Sequence, residues 1–290
     1  MSQYRVISTR KQTALVINTE TNEQQPCFFP RKVKPICGDN VTVQSNKNEH
    51  VISKILPRRN VFARANHKGL RQNIAANVDN QIIVVAVQPE PTRDLINRYL
   101  IAAHLCGMKP IIVFNKNDID KDFFNETNSL YQSLGYTTLS TNAKTQTNFD
   151  ELIALMANST SIFVGMSGVG KSSISEIILK QPLKTGEISK KTGKGAHVTS
   201  VTHMYKIPDI TGYLIDSPGV WEYGLWKMQE PEIAAGFPEI SAHTGRCKFS
   251  NCTHTHEPEC AVKQAVDNKE INKLRYDSYL RIIDSMKYWD

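Results

Sequence analysis

The sequence lacks the long apolar segments that characterise membrane proteins. No apolar run approaches the roughly 20 residues that a bilayer-spanning helix requires. The first residues, MSQYR, lead into no hydrophobic region of the signal-peptide kind. We therefore expect a cytoplasmic protein that has no membrane partner.

Cysteine is also scarce, with six residues among 290, which is too few for a disulfide scaffold of this length. Three of the six lie close to histidines near the C-terminus. A reducing compartment and one metal site are the simplest interpretation of this pattern. Internal repeats and low-complexity linkers are absent from the sequence.

The composition is that of an ordinary globular protein, with 40% hydrophobic and 22% charged residues. A length of 290 residues is enough for two or three domains. The net charge of +7 suits an anionic partner such as nucleic acid. A mild basic excess is equally common in proteins that bind no nucleic acid, so charge alone does not decide.

The first 63 residues predict a small β-barrel. Short β-rich runs at 4–8, 14–18, 41–43 and 51–56 are separated by turn formers, without a long helical period. An OB-fold or an SH3-like barrel fits this length. The alternative is a generic β cap on the following domain.

Residues 64–225 predict an α/β domain. Continuous apolar strands at 81–87, 110–114, 161–164 and 213–215 alternate with helical stretches. Such strands indicate a parallel sheet covered on both faces. The polar motifs follow the carboxyl ends of these strands, where open α/β sheets bind ligands.

A phosphate-binding loop is predicted where the motif GxxxxGK[ST] follows the strand at 161–164. Its glycines let backbone N–H groups surround phosphate oxygens, while the next helix contributes its positive N-terminal end. Lys171 would neutralise the β- and γ-phosphates, and the Ser172 hydroxyl would ligate magnesium. The predicted nucleotide-binding residues of this loop are Gly165, Met166, Ser167, Gly168, Val169, Gly170, Lys171, Ser172 and Ser173.

A guanine-reading motif, NKxD, follows the strand at 110–114. The Asp118 carboxylate can accept hydrogen bonds from guanine N1–H and the 2-amino group, which adenine does not offer. Lys116 would pack along the base, and Asn115 would tie this loop to the phosphate loop. A second base-contacting loop is expected at residues 140–143 (STNA), although a plain turn explains that segment as well.

A DxxG element begins at Asp216, at the end of the strand at 213–215. Asp216 would hold magnesium through water, and the Gly219 N–H would meet the γ-phosphate. The next residue, Val220, cannot orient water. We therefore expect His197 to position the attacking water and Thr199 to sense the γ-phosphate or ligate magnesium. Residues 184–195, before His197, carry no periodicity and are expected to be mobile.

These motifs occur in a permuted order. In ordinary GTPases the phosphate loop comes first and NKxD much later, whereas here NKxD precedes the phosphate loop and DxxG follows it. All the parts of a guanine-nucleotide switch are thus present in circularly permuted order. The switch segment is last in its domain and joins directly to residues 226–290.

A zinc site is predicted in residues 226–290, which otherwise favour helices. Three thiolates and one imidazole form the closed tetrahedral ligand set that structural zinc prefers. The predicted ligands are Cys247, Cys252, His254 and Cys260. His256 is an alternative fourth ligand, and His243 is more distant.

A basic helix is predicted at about 270–287. Its basic residues either face nucleic acid or lie on a solvated helix. They are Lys273, Arg275, Arg281 and Lys287.

This order of motifs resembles the circularly permuted GTPases that depend on the small ribosomal subunit. Flanking segments agree: RRN at 58–60, AANVD at 75–79 and DSPGVWEYGLW at 216–226. The resemblance implies an N-terminal OB-fold, a permuted GTPase domain and a C-terminal zinc domain. It also implies hydrolysis of GTP to GDP with magnesium, binding of ribosomal RNA late in subunit maturation, and a switch histidine at His197.

The chain departs from the family pattern at two positions. Val198 follows His197 where the family usually has threonine, so Thr199 must supply any threonine function in this segment. Trp221 stands where a charged residue is common. Neither departure removes a phosphate, base or zinc contact.

The sequence therefore predicts a monomeric, GTP-hydrolysing assembly factor of the small ribosomal subunit. One alternative is a non-catalytic, nucleotide-gated RNA-binding module, in which Val220 marks lost hydrolysis. Another is a GTPase that acts on a non-ribosomal RNA or on a protein partner.

Overall fold

The computed structural model describes most of the chain as a barrel, an α/β sheet and a helical C-terminal region. None of the helices among the described residues is long and apolar enough to cross a membrane. The described residues are 3–46, 49–66, 68–89, 91, 94–183, 201–217 and 225–287.

The N-terminal barrel is closed in the strand order β1-β2-β3-β5-β4. β3 and β5 meet in parallel through Phe28 and Val51, and the other neighbouring strands pair antiparallel. Small and β-branched side chains such as Val6, Val16 and Ile52 fill the interior. This closed, OB-like barrel confirms the predicted barrel fold, so the alternative of a generic β cap is not needed. Its strands are β1 (Tyr4–Arg10), β2 (Thr13–Asn18), β3 (Gln24–Phe28), β4 (Asn40–Asn46) and β5 (Glu49–Ile55).

A two-stranded hairpin follows the barrel, formed by β6 (Val61–Ala65) and β7 (Arg71–Ala76). The domain boundary predicted after residue 63 falls within β6. The boundaries after residues 63 and 225 stay predictions, because the buried core is continuous from the hairpin into both neighbouring regions.

The central sheet has six strands in the order β10-β9-β8-β11-β13-β12, and only the edge strand β12 runs antiparallel. Helices cover both faces, over two separate apolar cores. The carboxyl ends of β9, β11 and β13 therefore lie at one edge of the sheet. The elements are β8 (Asn80–Val85), α1 (Leu95–Leu105), β9 (Lys109–Phe114), α2 (Lys121–Ser133), β10 (Thr137–Ser140), α3 (Phe149–Met156), β11 (Thr160–Val164), α4 (Lys171–Leu179), β12 (His203–Lys206) and β13 (Tyr213–Asp216).

A buried arginine joins the barrel to the sheet. The Arg5 guanidinium donates hydrogen bonds to the carbonyl oxygens of Gly38 (3.3 Å) and Asn77 (3.1 Å). It also lies 5.1 Å from the ring centre of Tyr213, at the start of β13. At the same joint, Arg58 pairs with the buried Asp39 at 2.6 Å. The segments 58–60 and 75–79 are therefore contacts between the barrel and the sheet.

The C-terminal region consists of helices around the cysteine and histidine cluster. Arg275, which was expected either at a nucleic-acid surface or in solvent, is 1% exposed. It pairs with Glu239 at 2.6 Å, hydrogen-bonds Asn97 of α1 and lies over the ring of Phe237. That expectation is corrected, because the side chain fastens this region to the GTPase helices. The helices are α5 (Glu230–Ala235), α6 (Pro238–Ser241), α7 (Ala261–Asp267) and α8 (Lys273–Met286).

Candidate functional site

The phosphate loop connects β11 to α4 and takes its shape from three glycines. Gly165, Gly168 and Gly170 have φ values of 140°, 82° and 99°, in the region that favours glycine. A Cβ atom at Gly165 would collide with the Val84 carbonyl oxygen, and one at Gly170 with the Asn115 amide. The glycines thus let the loop lie against both β8 and the base-reading loop. Met166, Ser167 and Val169 complete the loop, and Ser172 and Ser173 lie in the first turn of α4.

Lys171 opens α4 and turns its ammonium group back into the loop. Nζ donates to the carbonyl oxygens of Gly165 (2.7 Å) and Met166 (2.6 Å). Burial lowers the pKa of Lys171 to about 8, and the nearby Asp216 carboxylate opposes that shift. A desolvated ammonium group at this point favours an anionic ligand, because phosphate oxygens would return the interactions that burial removes.

The NKxD segment is fastened directly to the phosphate loop. Asn115 Nδ2 donates to the Val169 carbonyl oxygen at 2.8 Å, as the sequence predicted for this residue. Lys116 Nζ donates to the carbonyl oxygens of Gly168 (2.8 Å) and Gln88 (2.7 Å). The backbone of Lys116 is left-handed, with φ of 61°, which turns the chain sharply at the end of β9. Base and phosphate elements therefore form one unit.

The loop at residues 140–143 lies against NKxD. Asn142 Nδ2 donates to Asp118 Oδ1 at 2.8 Å, and Asn142 is 6% exposed. The Ala143 N–H donates to Asn115 Oδ1 at 3.2 Å. The loop is therefore fastened to NKxD, and its contact with the base stays a prediction. The contact between Asn142 and Asp118 was not foreseen, because the two residues are 24 positions apart and no spacing motif links them.

Asp216 ends β13 on the same edge of the sheet. Burial raises the pKa of its carboxyl group, and Lys171 opposes the rise. β13 pairs in parallel with β11, with Ile215 opposite Ile162, so Asp216 ends its strand beside the strand that leads into the phosphate loop. The next residue, Ser217, hydrogen-bonds the Thr202 hydroxyl at 3.0 Å. His197, Thr199 and Gly219, like Val220, lie outside the described residues, so their roles stay predictions.

The four predicted zinc ligands converge in space. Their ligand atoms lie within 4.8 Å of one another. His254 Nδ1 is 3.5 Å from each of the three sulfurs, and the Cys247 and Cys260 sulfurs are 3.8 Å apart. A tetrahedral ion with Zn–S of about 2.3 Å and Zn–N of about 2.0–2.1 Å places sulfur and nitrogen about 3.5 Å apart, and two sulfurs about 3.8 Å apart. The donor set therefore fits zinc in both chemistry and size.

The alternative ligands have other partners. His256 Nδ1 hydrogen-bonds the hydroxyl of Thr255 at 2.9 Å, and His243 faces Glu270 at 3.8 Å. Both histidines lie outside the cluster. The structure therefore selects His254 from the three histidines that the sequence offered.

Residues beyond the ligands hold the metal-binding loop in place. The hydroxyls of Tyr276 and Tyr279 on α8 donate to the carbonyl oxygens of His254 (2.7 Å) and Thr253 (2.8 Å). Burial acts to raise the pKa of Glu257, but hydrogen bonds from the Thr253 hydroxyl and from the N–H groups of Thr253 and Thr255 outweigh it and lower that pKa to about 2. Sequence reasoning missed these supports, although two tyrosines three positions apart on a helix were a usable signal.

The fold and the site together define a circularly permuted GTPase. The base-reading segment comes before the phosphate loop in the chain, yet the two are hydrogen-bonded at one edge of the sheet. The model of the family described as RsgA GTPase matches residues 55–226. The chain belongs to this family and is a GTPase.

The chain is similar to curated and structurally solved members over most of its length. It is 40% identical over 248 residues to "Small ribosomal subunit biogenesis GTPase RsgA" of Hahella chejuensis, covering 84% of this chain and 71% of that protein. The protein of the same name in Haemophilus influenzae (strain 86-028NP) is 37% identical, covering 98% of this chain and 85% of that protein.

Two solved structures share the fold. The crystal structure of YjeQ from Thermotoga maritima is 29% identical, with a TM-score of 0.80 and 98% of each chain covered. The structure of YloQ, described as a circularly permuted GTPase, is 25% identical, with a TM-score of 0.77; the match covers 100% of this chain and 96% of that one.

Proposed function

We propose that the chain hydrolyses GTP as an assembly factor of the small ribosomal subunit. The observation that carries the proposal is the joined nucleotide site, in which NKxD and the phosphate loop are hydrogen-bonded into one unit. The names of the curated relatives, which are biogenesis GTPases of the small ribosomal subunit, support the choice of partner.

Different residues of the chain have different roles in GTP binding and hydrolysis. Asp118 selects guanine, and the backbone N–H groups of residues 165–170 and Lys171 hold the phosphates. His197 orients the attacking water, while Thr199 and the Gly219 N–H respond to the γ-phosphate. These assignments follow from the motifs and from the position of Lys171 inside the loop.

Ser172 and Asp216 fit a magnesium ion. A hydroxyl and a carboxylate are hard oxygen donors of the kind that magnesium prefers. Ser172 lies at the beginning of α4 and Asp216 at the end of β13, which pairs with β11, the strand that leads into the phosphate loop. When bound, the ion would neutralise charge on the β- and γ-phosphates.

Ribosomal RNA is the proposed partner of the barrel and the C-terminal region. OB-like barrels commonly bind oligonucleotides, and the chain carries a net charge of +7. We also propose a monomer that acts in the cytoplasm, where small subunits are assembled.

The test is GTP turnover by the full chain with and without purified small ribosomal subunits. Turnover alone should be slow, on the order of 10⁻³ s⁻¹ or less, as in unassisted GTPases. Subunits should raise it substantially. The rival candidate, a non-catalytic RNA-binding module, predicts GTP-dependent co-sedimentation with subunits but no rise in turnover.

His197→Ala tests the proposed water-positioning group. Loss of a positioned general acid or base costs typically about 10²- to 10⁴-fold in rate, so most of the subunit-stimulated turnover should disappear. GTP affinity should stay nearly unchanged, because the imidazole acts on water and not on the nucleotide. Full stimulated turnover in this variant would assign the role to another group, such as one from the ribosome.

A further inference from the structure

A groove runs between the beginning of α5 and the metal-binding loop, with a volume of about 620 Å³. Its lining includes Gln229 and Glu230 of the first of these elements, Phe249, Ser250 and Asn251 of the second, and three of the four predicted metal ligands. Its volume is within the roughly 300–1,000 Å³ of ordinary ligand sites. The groove is separate from the nucleotide site, which is built at the sheet edge by β9, β11 and β13.

Neutral hydrogen-bonding side chains form part of the lining of the groove, beside apolar residues such as Pro231 and Ala234. Amides of Gln229 and Asn251 and hydroxyls of Ser241, Thr244 and Ser250 supply both donors and acceptors. Glu230 adds acceptor oxygens. Donors and acceptors of this kind match the edges of nucleobases, which present amino, imino and carbonyl groups.

Phe249 gives the groove an exposed aromatic surface. Phe249 is 42% exposed, so its ring is accessible to a ligand in the groove. The Phe249 carbonyl oxygen accepts a hydrogen bond from the Cys252 N–H at 3.2 Å, which fixes the backbone beneath the ring. The ring therefore stands on a segment held between two metal ligands, Cys247 and Cys252, and is already ordered for stacking.

Cations lie beside the ring and not inside the groove. Lys248 Nζ is 5.9 Å from the centre of the Phe249 ring, and Arg246 is exposed one residue before Cys247. Lys248 also pairs with Glu259, but an exposed pair of this kind is worth little and yields to a competing phosphate. The arrangement suits a ligand that has a flat neutral part and a charged backbone.

This distribution separates the possible occupants. An acidic peptide would need cations within the groove, where the ionised side chain is Glu230. Paired bases in a duplex expose neither their faces nor their Watson–Crick edges, so a duplex does not suit the groove. An unpaired nucleotide satisfies all three features: stacking on Phe249, hydrogen bonds to the lining and a phosphate near Lys248.

We propose that this groove binds one unpaired nucleobase of a single-stranded RNA segment, stacked on Phe249. The inference rests on the proposed function, in which RNA of the small subunit is the partner, and it names the form of RNA that the C-terminal region takes.

The test uses the zinc-loaded full chain and a seven-nucleotide single-stranded RNA with 2-aminopurine at its centre. Binding should quench the 2-aminopurine fluorescence, because the base stacks on the ring. Phe249→Ala should weaken affinity about tenfold, in line with the loss of one base–aromatic stack. Phe249→Trp should retain the affinity and the quenching.

Leu274→Ala is the matched control, since Leu274 is an exposed apolar residue (66%) of the same region that does not line this groove. Its affinity should equal that of the wild type. A blunt duplex of the same sequence should compete poorly. Wild-type affinity in Phe249→Ala, or competition by the duplex as strong as by the single strand, would overturn the proposal.

The zinc content of each variant verifies that the groove is intact. Should Phe249→Ala lose its metal, Asn251→Ala replaces it, with weaker binding and a changed preference among the four bases as the expected result. Unchanged affinity and preference in a zinc-loaded Asn251→Ala would count against the groove.

The two proposals fail in different ways. If small subunits stimulate turnover of the wild type while the seven-nucleotide RNA binds Phe249→Ala as well as wild type, only the groove is wrong. If subunits neither bind nor stimulate while RNA binding depends on Phe249, the groove is upheld and the ribosomal function fails.

Discussion

The nucleotide site and the metal cluster are assembled in opposite ways. All four metal ligands lie between Cys247 and Cys260, so one loop can supply the whole site. The nucleotide site instead joins Asn115, Asp118, Asn142 and Lys171 with Asp216, which come from four separate parts of the chain. The sheet that aligns the carboxyl ends of β9, β11 and β13 is what brings them together.

This difference shows which interactions hold each site in its folded conformation. A local metal site supplies folding free energy itself, because the ion binds the folded loop and not the unfolded one. The nucleotide loops depend on the strands beneath them and on hydrogen bonds between loops. Loss of the metal should therefore loosen the C-terminal region and leave the nucleotide loops unchanged, unless the contacts of Arg275 with Glu239 and Asn97 transmit the change to α1.

Cys252→Ala should have the largest effect. Structural zinc contributes about 10–16 kcal/mol in small zinc peptides. We expect loss of the metal and faster amide hydrogen exchange throughout residues 243–287. GDP affinity should remain within about threefold of wild type. Metal analysis, hydrogen exchange and nucleotide titration provide the three measurements. Freshly purified wild type without zinc would contradict the assignment outright.

Arg275→Met tests whether the two regions are mechanically joined. Removing one partner of a buried pair typically costs about 3–5 kcal/mol, because Glu239 loses its counter-ion. The free energy of unfolding, measured in urea, should fall by that amount. Arg281→Met is the matched control: its pair with Asp94 is partly exposed, so its cost should be about 1 kcal/mol or less. If the two variants lower the free energy of unfolding equally, burial of Arg275 does not account for its contribution to stability.

Asp118→Asn should weaken GTP binding by about 100-fold, since two hydrogen bonds to a charged group are lost. Xanthosine nucleotides should become the better ligands, because an amide can donate to the xanthine 2-carbonyl. Asp122→Asn, an exposed acid on α2, should leave affinity unaltered. Equal binding of ATP and GTP by the wild type would remove the basis of this prediction.

Asn142→Ala should have the smallest effect. It removes the hydrogen bond to Asp118 Oδ1, which is worth roughly 1–2 kcal/mol, so affinity for guanine nucleotides should fall by about 5- to 30-fold. Preference for GTP over ATP should narrow, because Asp118 is no longer held in one orientation. Asn142→Asp provides a harsher comparison, since it sets two carboxylates against each other. If Asn142→Ala prefers GTP over ATP as strongly as the wild type does, residues 140–143 are a plain turn and not a base-contacting loop.

The sequence correctly predicted the elements that have a clear local hydrophobic pattern. The apolar strands before the three nucleotide motifs, predicted at 110–114, 161–164 and 213–215, were placed within one residue of the observed bounds. β3 was missed because Gln-Gln-Pro-Cys-Phe has only Cys27 facing the core. β12 was missed because it is a four-residue edge strand whose pairing with β13 is its main reason to be extended.

The sequence by itself determined the nature of the chemistry: the motif residues for guanine, phosphate and metal, and the permuted order in which they occur. These motifs depend on the type of side chain and on short spacings along the chain, both of which are visible in the sequence. Only the tertiary structure decided that Asn142 holds Asp118, that His256 and His243 lie outside the cluster and that Arg275 is buried against Glu239 and Asn97. Each of those outcomes depends on which residues distant in the chain become neighbours, because burial, charge pairing and hydrogen-bond geometry exist only once the strands and helices have packed.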